Sequence, residues 1–380
     1  MEIIMPESKV VVYNKLEEEL RMQIKSGFLQ DRTRLRSENA FAARYGISRS
    51  SVRKALATLE KEGLIRRSRG CGTFVTRENL FRSPKRKALP GKNILYLSFS
   101  SLYSRDVFSQ PGTFYAVYDG FRKVLPGTGY EFQAAHVGTD WQVPAELSDP
   151  SIAGIIFEGS VRKEFFDRYM ASKPCIGVNC YDPDLNCSWV LEDARGIAEL
   201  SVRHLYSLGY RKIAILADEC SSRPVKELYL GYCTGLIQHG LPIRPEYVLL
   251  WDRELKDGEL SNTPLENKNY VFHLKKLFTS PDRPDSIICQ DHYRAEEARI
   301  ALESFGLEVP EDVGMICRRY LQTPQNFSLE YEGFDSRKKD VFTEAAKQLL
   351  EEIDGHSAVE KRITYISPQF IPGHTLSKRD

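Results

Sequence analysis

Residues 46–75 read GISRSSVRKALATLEKEGLIRRSRGCGTFV, and this stretch decides the fold of the amino-terminal region. Ser48 suits a helix N-cap, and Gly63 suits the left-handed position just past a helix end. Between them an apolar stripe recurs at helical spacing, formed by Val52, Ala55, Leu56 and Leu59. Arg49, Ser50 and Arg53 point away from that stripe, at about 100° per residue. The pattern predicts a helix with one packed face and one face that offers two guanidinium groups and a hydroxyl.

A glycine-rich turn follows this helix. Ser68-Arg69-Gly70-Cys71-Gly72 separates two short runs, residues 64–67 and 73–75, which is a β-hairpin signal. Two further helix patterns lie upstream, the second capped by Ser37. Taken alone, the basic helix is equally typical of a solvated surface helix. The order helix, helix, helix, hairpin instead predicts a winged helix-turn-helix whose third helix enters the DNA major groove.

Residues 13–75 resemble the GntR-type DNA-binding domain. The matching segments are Ser26-Gly27, Leu35-Arg36-Ser37-Glu38, residues 47–56, Glu62-Gly63-Leu64-Ile65 and residues 70–75. Arg36 stands where the family prefers proline. By motif position, the resemblance implies DNA contacts from Ser48, Arg49, Ser50, Ser51, Arg53, Arg69 and Gly70, and it adds Glu38 and Asn39 as further candidates. Glu38 is alternatively a structural partner for an arginine of the same domain.

The charge of the chain is unevenly distributed. The net charge of the 380 residues is only +1, but residues 1–90 hold 20 basic and 10 acidic residues, and the remainder holds 33 and 42. A basic end on an acidic body indicates DNA binding confined to that end, with an affinity that falls as salt rises. Residues 77–92, which are basic and contain proline, predict a linker. The predicted domains are therefore 1–77, a linker at 78–92, and 93–380.

The cysteines and the apolar segments exclude several classes of protein. The eight cysteines form no CxxC pair and lie beside no histidine cluster, so we expect idle thiols in a reducing compartment and no metal or cofactor. The sequence holds no run of 18 apolar residues and begins without a signal-peptide pattern. We expect a cytoplasmic protein that does not contact the membrane.

Strands and helices alternate from residue 93 onward, which predicts an α/β fold of doubly wound parallel sheets. The expected elements include a helix at 228–239, preceded by a loop that carries Arg223, and a single last strand at 363–369. Because about 290 residues exceed one such sheet, two lobes are expected. Ligands of these folds bind beyond the carboxyl ends of the strands, here also between the lobes.

This body resembles the LacI/GalR-type effector domain, which is similar to periplasmic sugar-binding proteins. The matching segments are Gly154-Ile155-Ile156, residues 202–214, Gln290-Asp291 and residues 306–313. A GntR-type head on a LacI-type body resembles a subgroup of sugar-catabolism repressors. The resemblance implies a homodimer that reads a two-fold symmetric operator and answers to a small-molecule effector.

The expected effector site departs from the family pattern at two positions. Leu228 stands where the family has an arginine, three residues before Gly231-Tyr232, and Arg319 stands where it has an aspartate. An acidic or phosphorylated sugar paired to Arg319, a neutral sugar held by Asp291 and Arg223, and a pocket without a ligand all remain open. The candidate effector-binding residues are Asp291, Asp193, Arg319, Arg223, Glu158, Ser160, Ser100, Ser101 and Tyr103. Asp193 is alternatively the cap of the helix that starts at Ala194.

The sequence thus predicts a sequence-specific transcriptional regulator, a repressor of carbohydrate catabolism, and not an enzyme. An aminotransferase-like body holding pyridoxal phosphate is the catalytic alternative, but the chain shows neither the Schiff-base lysine motif nor the length it needs. A periplasmic-type sugar carrier is opposed by the DNA-binding head. No Ser-His-Asp, metal or phosphate-loop motif occurs in the sequence.

Overall fold

The structure is a computed structural model. It describes residues 16, 17, 20, 21, 24, 34–68, 72–76, 92–99, 111–218, 222–251, 255–256, 259–260, 268–320, 329–355 and 361–379. The predicted linker and most of the predicted first helix lie outside the described residues. So do five of the predicted site residues, which are Arg69, Gly70, Ser100, Ser101 and Tyr103.

The described part of the head contains two helices and a hairpin, α1 (Glu38–Tyr45), α2 (Arg49–Lys61), β1 (Ile65–Ser68) and β2 (Gly72–Val75). Ser37 and Ser48 cap the two helices as predicted, and Gly63 has a left-handed φ of 72°. The strands pair antiparallel from Ile65↔Val75 to Ser68↔Gly72. An isolated antiparallel bridge joins Arg34 to Phe74 of the predicted wing.

The predicted apolar stripe of α2 forms the centre of the head's core. Val52, Ala55, Leu56 and Leu59 are at most 1% exposed. They pack with apolar residues of the first helix, α1 and the hairpin, namely Leu16, Leu20, Ile24, Leu35, Phe41, Ile47, Leu64, Ile65 and Val75. Because this cluster fixes one face of α2, the opposite face is turned to solvent.

The first lobe of the body is a six-stranded parallel sheet. Its strands are β3 (Asn93–Phe99), β4 (Glu131–Val137), β5 (Ile152–Glu158), β6 (Cys175–Val178), β7 (Ser188–Glu192) and β15 (Ile363–Ile366), in the order β15-β7-β6-β5-β3-β4. Helices α3 (Pro111–Val124) and α9 (Lys338–Ile353) cover one face, and α4 (Lys163–Tyr169) covers the other. Successive residues of β3 enter the two cores alternately, so the strand is buried on both faces.

The second lobe is also a six-stranded sheet, with the order β16-β14-β13-β12-β8-β9. Its strands are β8 (Ile213–Asp218), β9 (Val248–Trp251), β12 (Ser286–Cys289), β13 (Gly314–Arg319), β14 (Glu332–Asp335) and β16 (Gln369–Ile371), of which only β16 is antiparallel to its neighbour. Helices α5 (Ala194–Ser207) and α6 (Arg223–Gln238) cover one face, and α7 (Lys268–Phe278) and α8 (His292–Ser304) cover the other. A small hairpin, β10 (Leu255–Lys256) and β11 (Glu259–Leu260), lies outside this sheet.

The chain crosses between the lobes three times, from β7 to α5, from β14 to α9 and from β15 to β16. The predicted single strand at 363–369 was therefore wrong. Its first half pairs with β7 in the first lobe, and its second half pairs with β14 in the second lobe. The break falls between Ile366 and Gln369, so this segment is a hinge crossing.

Other local predictions also need correction. Five strands, β4, β7, β10, β11 and β14, were not predicted. Helix α6 begins at Arg223, five residues earlier than expected, so Arg223 is the first residue of a helix and does not lie in a loop. That shift places its side chain at the carboxyl end of the sheet, because α6 directly follows β8.

Candidate DNA interface and effector cleft

The outer face of α2 presents the residues that the sequence selected for DNA contact. Arg49 and Arg53 have side chains 58% and 59% exposed, and Ser48 and Ser50 are exposed beside them. The Ser48 hydroxyl accepts from the Ser51 backbone N–H at 3.1 Å, which fixes the start of the helix. Two guanidinium groups on a rigid, capped helix can reach guanine edges or phosphates in a major groove.

Ser51 differs from its neighbours because it is only 7% exposed. Its hydroxyl lies 2.9 Å from that of Ser48, which also lies 2.7 Å from the Ser50 hydroxyl. The geometry gives Ser51 a role in closing the first turn of α2. Of the three serines, Ser48 and Ser50 have the exposure that a DNA contact needs.

Glu38 of α1 faces the two arginines of α2. Its Oε2 atom accepts from Arg53 Nε at 2.8 Å and lies 3.9 Å from Arg49 Nη2. The structure therefore has the arginine partnership that the sequence left as an alternative. Asn39, the next residue, is exposed and remains a candidate for contact.

The wing carries arginines that were not predicted from the sequence to contact DNA. Arg66 and Arg67 of β1 are exposed, and the Arg67 guanidinium donates to the Arg53 carbonyl oxygen at 3.0 Å. Arg34 lies against the wing, with its guanidinium beside Gly72. A Cβ on Gly72 would come within 2.9 Å of Arg34 Nε, so this glycine permits the close approach. The alternation of β1 could have indicated Arg66, but the bridge made by Arg34 is visible only in the fold.

In the body, polar side chains gather where the carboxyl ends of the two sheets face each other. Glu158 ends β5 and is 8% exposed. Its carboxylate accepts from Tyr96 Oη and Asn179 Nδ2, each at 2.9 Å, and pairs with Lys338 Nζ at 3.2 Å. Ser160, two residues further, is exposed and has a position on the loop after β5. Of these two predicted residues, Glu158 is held in a fixed orientation.

One buried ion pair at the cleft, which joins the two lobes, was not predicted from the sequence. Glu192 ends β7 in the first lobe, and its carboxylate lies 3.5 Å from the Arg318 guanidinium of β13 in the second. Their side chains are 8% and 9% exposed. Burial raises the pKa of the Glu192 carboxyl, and the Arg318 guanidinium opposes that rise. The unpredicted strand β7 hid Glu192, because no strand end was expected at that position.

Arg319 and Arg318 diverge although they are neighbours, because alternate residues of a strand face opposite sides of the sheet. Arg319 donates from Nη1 to the Tyr331 carbonyl oxygen at 2.5 Å, on the side of α8. Arg318 lies over the Tyr320 ring at 5.1 Å and contacts Glu192.

The two predicted aspartates both cap helices. The Asp291 carboxylate accepts from Arg294 N–H at 3.0 Å, and the Asp193 carboxylate accepts from Gly196 N–H at 2.8 Å. Each is half-buried at the start of a helix that opens on the cleft. A capping carboxylate has further lone pairs that can accept from a ligand hydroxyl, so capping and effector binding are compatible.

The site of the missing family arginine is closed. Leu228 is 2% exposed and packs in the core of the second lobe with Val225 and Tyr232. Arg223, one and a half turns earlier on α6, instead reaches the first lobe. Its Cζ atom lies 4.6 Å from the centroid of the Tyr181 ring, and it also pairs with Glu227 at 3.3 Å.

The second lobe also contains a buried ion pair and a buried histidine beneath the cleft. Arg294 Nε lies 3.1 Å from Asp218 Oδ2, with side chains 9% and 1% exposed. His292, which is fully buried, has its pKa lowered to about 4 by burial. Among the described residues, no group of three or more His, Cys, Asp or Glu side chains could hold a metal ion. No helix in the described ranges is long and apolar enough to span a bilayer.

A winged helix-turn-helix with an exposed basic helix, joined to two lobes around a polar cleft, defines a DNA-binding transcriptional regulator. Residues 12–75 match the gntR family of bacterial regulatory proteins, and residues 202–376 match the periplasmic binding protein-like domain. The chain therefore contains a GntR-type DNA-binding domain and a periplasmic-binding-protein-like domain, and its body has the fold of solved LacI-family regulators.

Relatives and solved structures agree with this assignment. The chain is similar to proteins named arabinose metabolism transcriptional repressor in Geobacillus stearothermophilus, at 25% identity over 93% of this chain and 94% of that one, and in Halalkalibacterium halodurans, at 22% over 80% and 79%. Among solved structures, a LacI family regulator from Enterococcus faecium with bound ribose has a TM-score of 0.59 at 17% identity, over 76% of this chain and all of that one. The complex of the regulator CelR with cellobiose has the same TM-score at 15% identity, over 90% of this chain and all of the other.

Proposed function

We propose that this protein represses genes of carbohydrate catabolism, reads its operator as a homodimer and responds to a sugar bound between its lobes. The observation that carries the proposal is the outward face of α2, where Arg49 and Arg53 stand on a helix capped by Ser48. The similarity to arabinose metabolism repressors over nearly the whole chain supports the carbohydrate assignment. We assign residues 1–77 to the DNA-binding domain, 78–92 to the linker and 93–380 to effector binding and dimerisation.

The charges of the cleft favour a neutral effector over an acidic one. Glu158 is paired with Lys338, and Glu192 is paired with Arg318. The hypothesis of an acidic effector requires Arg319 as the partner of the anion. Arg319 instead donates to a backbone carbonyl oxygen on the side of α8. An anion would have to break one of these contacts, whereas sugar hydroxyls can donate to the carboxylates and accept from the cations without separating them. Arabinose is the first compound to test, since the similar repressors are named for its metabolism.

The DNA-binding part is tested by selecting operator sequences from a random duplex library with the full-length protein. We expect a two-fold symmetric site with half-sites about one helical turn apart or a multiple of it. Arg49→Ala should relax the preference at one position of each half-site, at a cost of about 1–3 kcal/mol against the preferred base pair. Lys85→Ala, in the linker, is the control and should weaken all sequences about equally. Selection of no sequence at moderate salt would contradict the proposal.

The effector part is tested by thermal shift against neutral pentoses and hexoses, uronic acids and sugar phosphates. Stabilisation should rise with ligand concentration as linkage requires. Asp291→Asn suits this test because asparagine is as good an N-cap as aspartate, so α8 is kept while the carboxylate is lost. Loss of the neutral-sugar response in this variant would support the proposed site. If the wild type prefers acidic compounds and Arg319→Ala loses that preference, the hypothesis of an acidic effector is favoured instead.

We further infer that the protein acts in the cytoplasm without a cofactor and without catalysis, as a regulator that needs only DNA and an effector. The names of the similar full-length proteins support this inference. If the purified protein absorbs at wavelengths longer than those at which protein itself absorbs, a cofactor is bound and this inference is wrong.

A further inference from the structure

Among the residues that the structure describes, the contacts that join the lobes across the cleft include two between side chains. The first, here called the hinge pair, is the ion pair of Glu192 and Arg318 at 3.5 Å. Glu192 lies two residues before α5, at the first crossing between the lobes. With both side chains at least nine-tenths buried, the pair is shielded from water. Lys338 also stabilises the Glu192 carboxylate, but the contact with Arg318 is the one that spans the lobes. Because separating two buried opposite charges costs free energy, the hinge pair resists opening.

The second contact, here called the lip latch, joins Arg223 of α6 to the ring of Tyr181. The guanidinium carbon lies 4.6 Å from the ring centroid, within the range of a cation–π interaction. Tyr181 belongs to the first lobe, where its ring meets that of Trp189 edge-on at 5.6 Å. Arg223 starts a helix of the second lobe. The Arg223 side chain is 42% exposed, so this contact is accessible to solvent and weaker than the hinge pair.

The two contacts lie at different distances from the hinge. We take β14, which leads into a crossing between the lobes, as the hinge strand. In the order β14-β13-β12-β8, Arg318 lies on β13, one strand from β14. Arg223 follows β8, which is three strands from β14. With about 4.8 Å between strands, these are about 5 Å and about 15 Å from the hinge strand. A rotation about the hinge therefore separates the lip latch about three times as far as the hinge pair.

We propose that the protein's own side chains hold the cleft closed, with the hinge pair fixing the hinge and the lip latch acting as the gate through which an effector enters. The gate opens first because its contact is both more exposed and further from the hinge. The regulatory meaning of the gate rests on the proposed function, since only a protein that answers to an effector needs one. Both contacts are made by residues of the chain itself, so the proposed closure requires no ligand.

Amide hydrogen exchange on the full chain, with no sugar present, tests this closure. Tyr181→Leu keeps an apolar side chain against Trp189 but removes the aromatic face under Arg223. We expect exchange in segments 179–187 and 222–228 to become about 2–5-fold faster, the factor that corresponds to an exposed cation–π contact. Tyr181→Phe keeps the ring and should behave as the wild type. Glu227→Gln removes the other partner of Arg223 and should leave both segments unchanged.

A second variant, Arg318→Met, tests the hinge pair. It should accelerate exchange in segments 188–192 and 314–319 as well as at the lip, because freeing the hinge frees the whole lobe. Equal exchange in Tyr181→Leu and Tyr181→Phe at both lip segments would overturn the proposal. Because these measurements use no sugar and no DNA, a failure to respond to sugars would contradict the proposed function and leave the closure standing.

Discussion

Glu38 lies between the two exposed arginines of the recognition helix, and replacing it with glutamine tests its role. Its carboxylate is 2.8 Å from Arg53 Nε and 3.9 Å from Arg49 Nη2. Because the side chains of Glu38 and Arg53 are 26% and 59% exposed, solvent screens the pair, which should be worth about 0.2–1 kcal/mol. If Arg53 must leave Glu38 to contact DNA, the free energy of this ion pair is subtracted from the free energy of DNA binding. Glu38→Gln removes that loss.

We therefore expect Glu38→Gln to bind the selected operator about 1.5–5-fold more tightly, with the same sequence preference. Fluorescence anisotropy with a labelled duplex over a series of salt concentrations measures this, and the gain should shrink as salt rises. Glu62→Gln is the matched control, because it makes the same charge change at a glutamate that pairs with Arg21, which is not among the expected DNA contacts. Weaker binding, or relaxed preference at one base pair, would refute the reasoning and assign Glu38 a direct contact to a cytosine amino group.

Three further substitutions test the packing and the titration of named groups. Ser48→Ala should destabilise the head by about 1 kcal/mol in chemical unfolding, whereas Ser50→Ala, which is not the cap, should change it little. Leu228→Arg should cost about 3–5 kcal/mol because the new charge is buried without a partner; an unchanged unfolding midpoint would show that position 228 reaches the cleft. His292 is neutral in the fold, with a pKa of about 4, but takes up a proton below about pH 6.5 when unfolded, so stability should fall by up to about 3 kcal/mol as pH drops from 6.5 to 4. His292→Gln should flatten that slope, and a slope that persists would assign it to other groups.

The head was predictable because its signals are local. Helix α2 contains its own cap, its own apolar stripe and its own exposed arginines within 16 residues, so neighbouring sequence positions carry all the information. The wing likewise follows from a glycine-rich turn between two short runs, and its register agrees with that reading. The Arg34 bridge could not be predicted, because it depends on how the segment before α1 returns past the hairpin.

Two of the missed strands, β14 and β4, lack local signals for a physical reason. β14 has the sequence EGFD, with two acids and a glycine, and would not be chosen as a strand from its composition. Gly333 is nevertheless required there, because a Cβ would lie 1.9 Å from the Cys317 carbonyl oxygen on the neighbouring strand. β4 is an edge strand with only two buried residues, so half of its surface has no need of apolar side chains. In both cases the sheet partner determines the strand.

Arg318 and Arg319 show why a motif position does not by itself define a ligand contact. The sequence places Arg319 at the family's aspartate position, directly after Arg318, and this positive charge suggested an anionic effector. The pleat of β13 sends them to opposite faces, where Arg318 meets Glu192 and Arg319 meets the Tyr331 carbonyl. Both cations therefore already have acceptors within the protein. An anionic effector would gain only the difference between its own contact and the one it displaces, so selectivity for charge must be small unless a hinge rotation first separates Arg318 from Glu192.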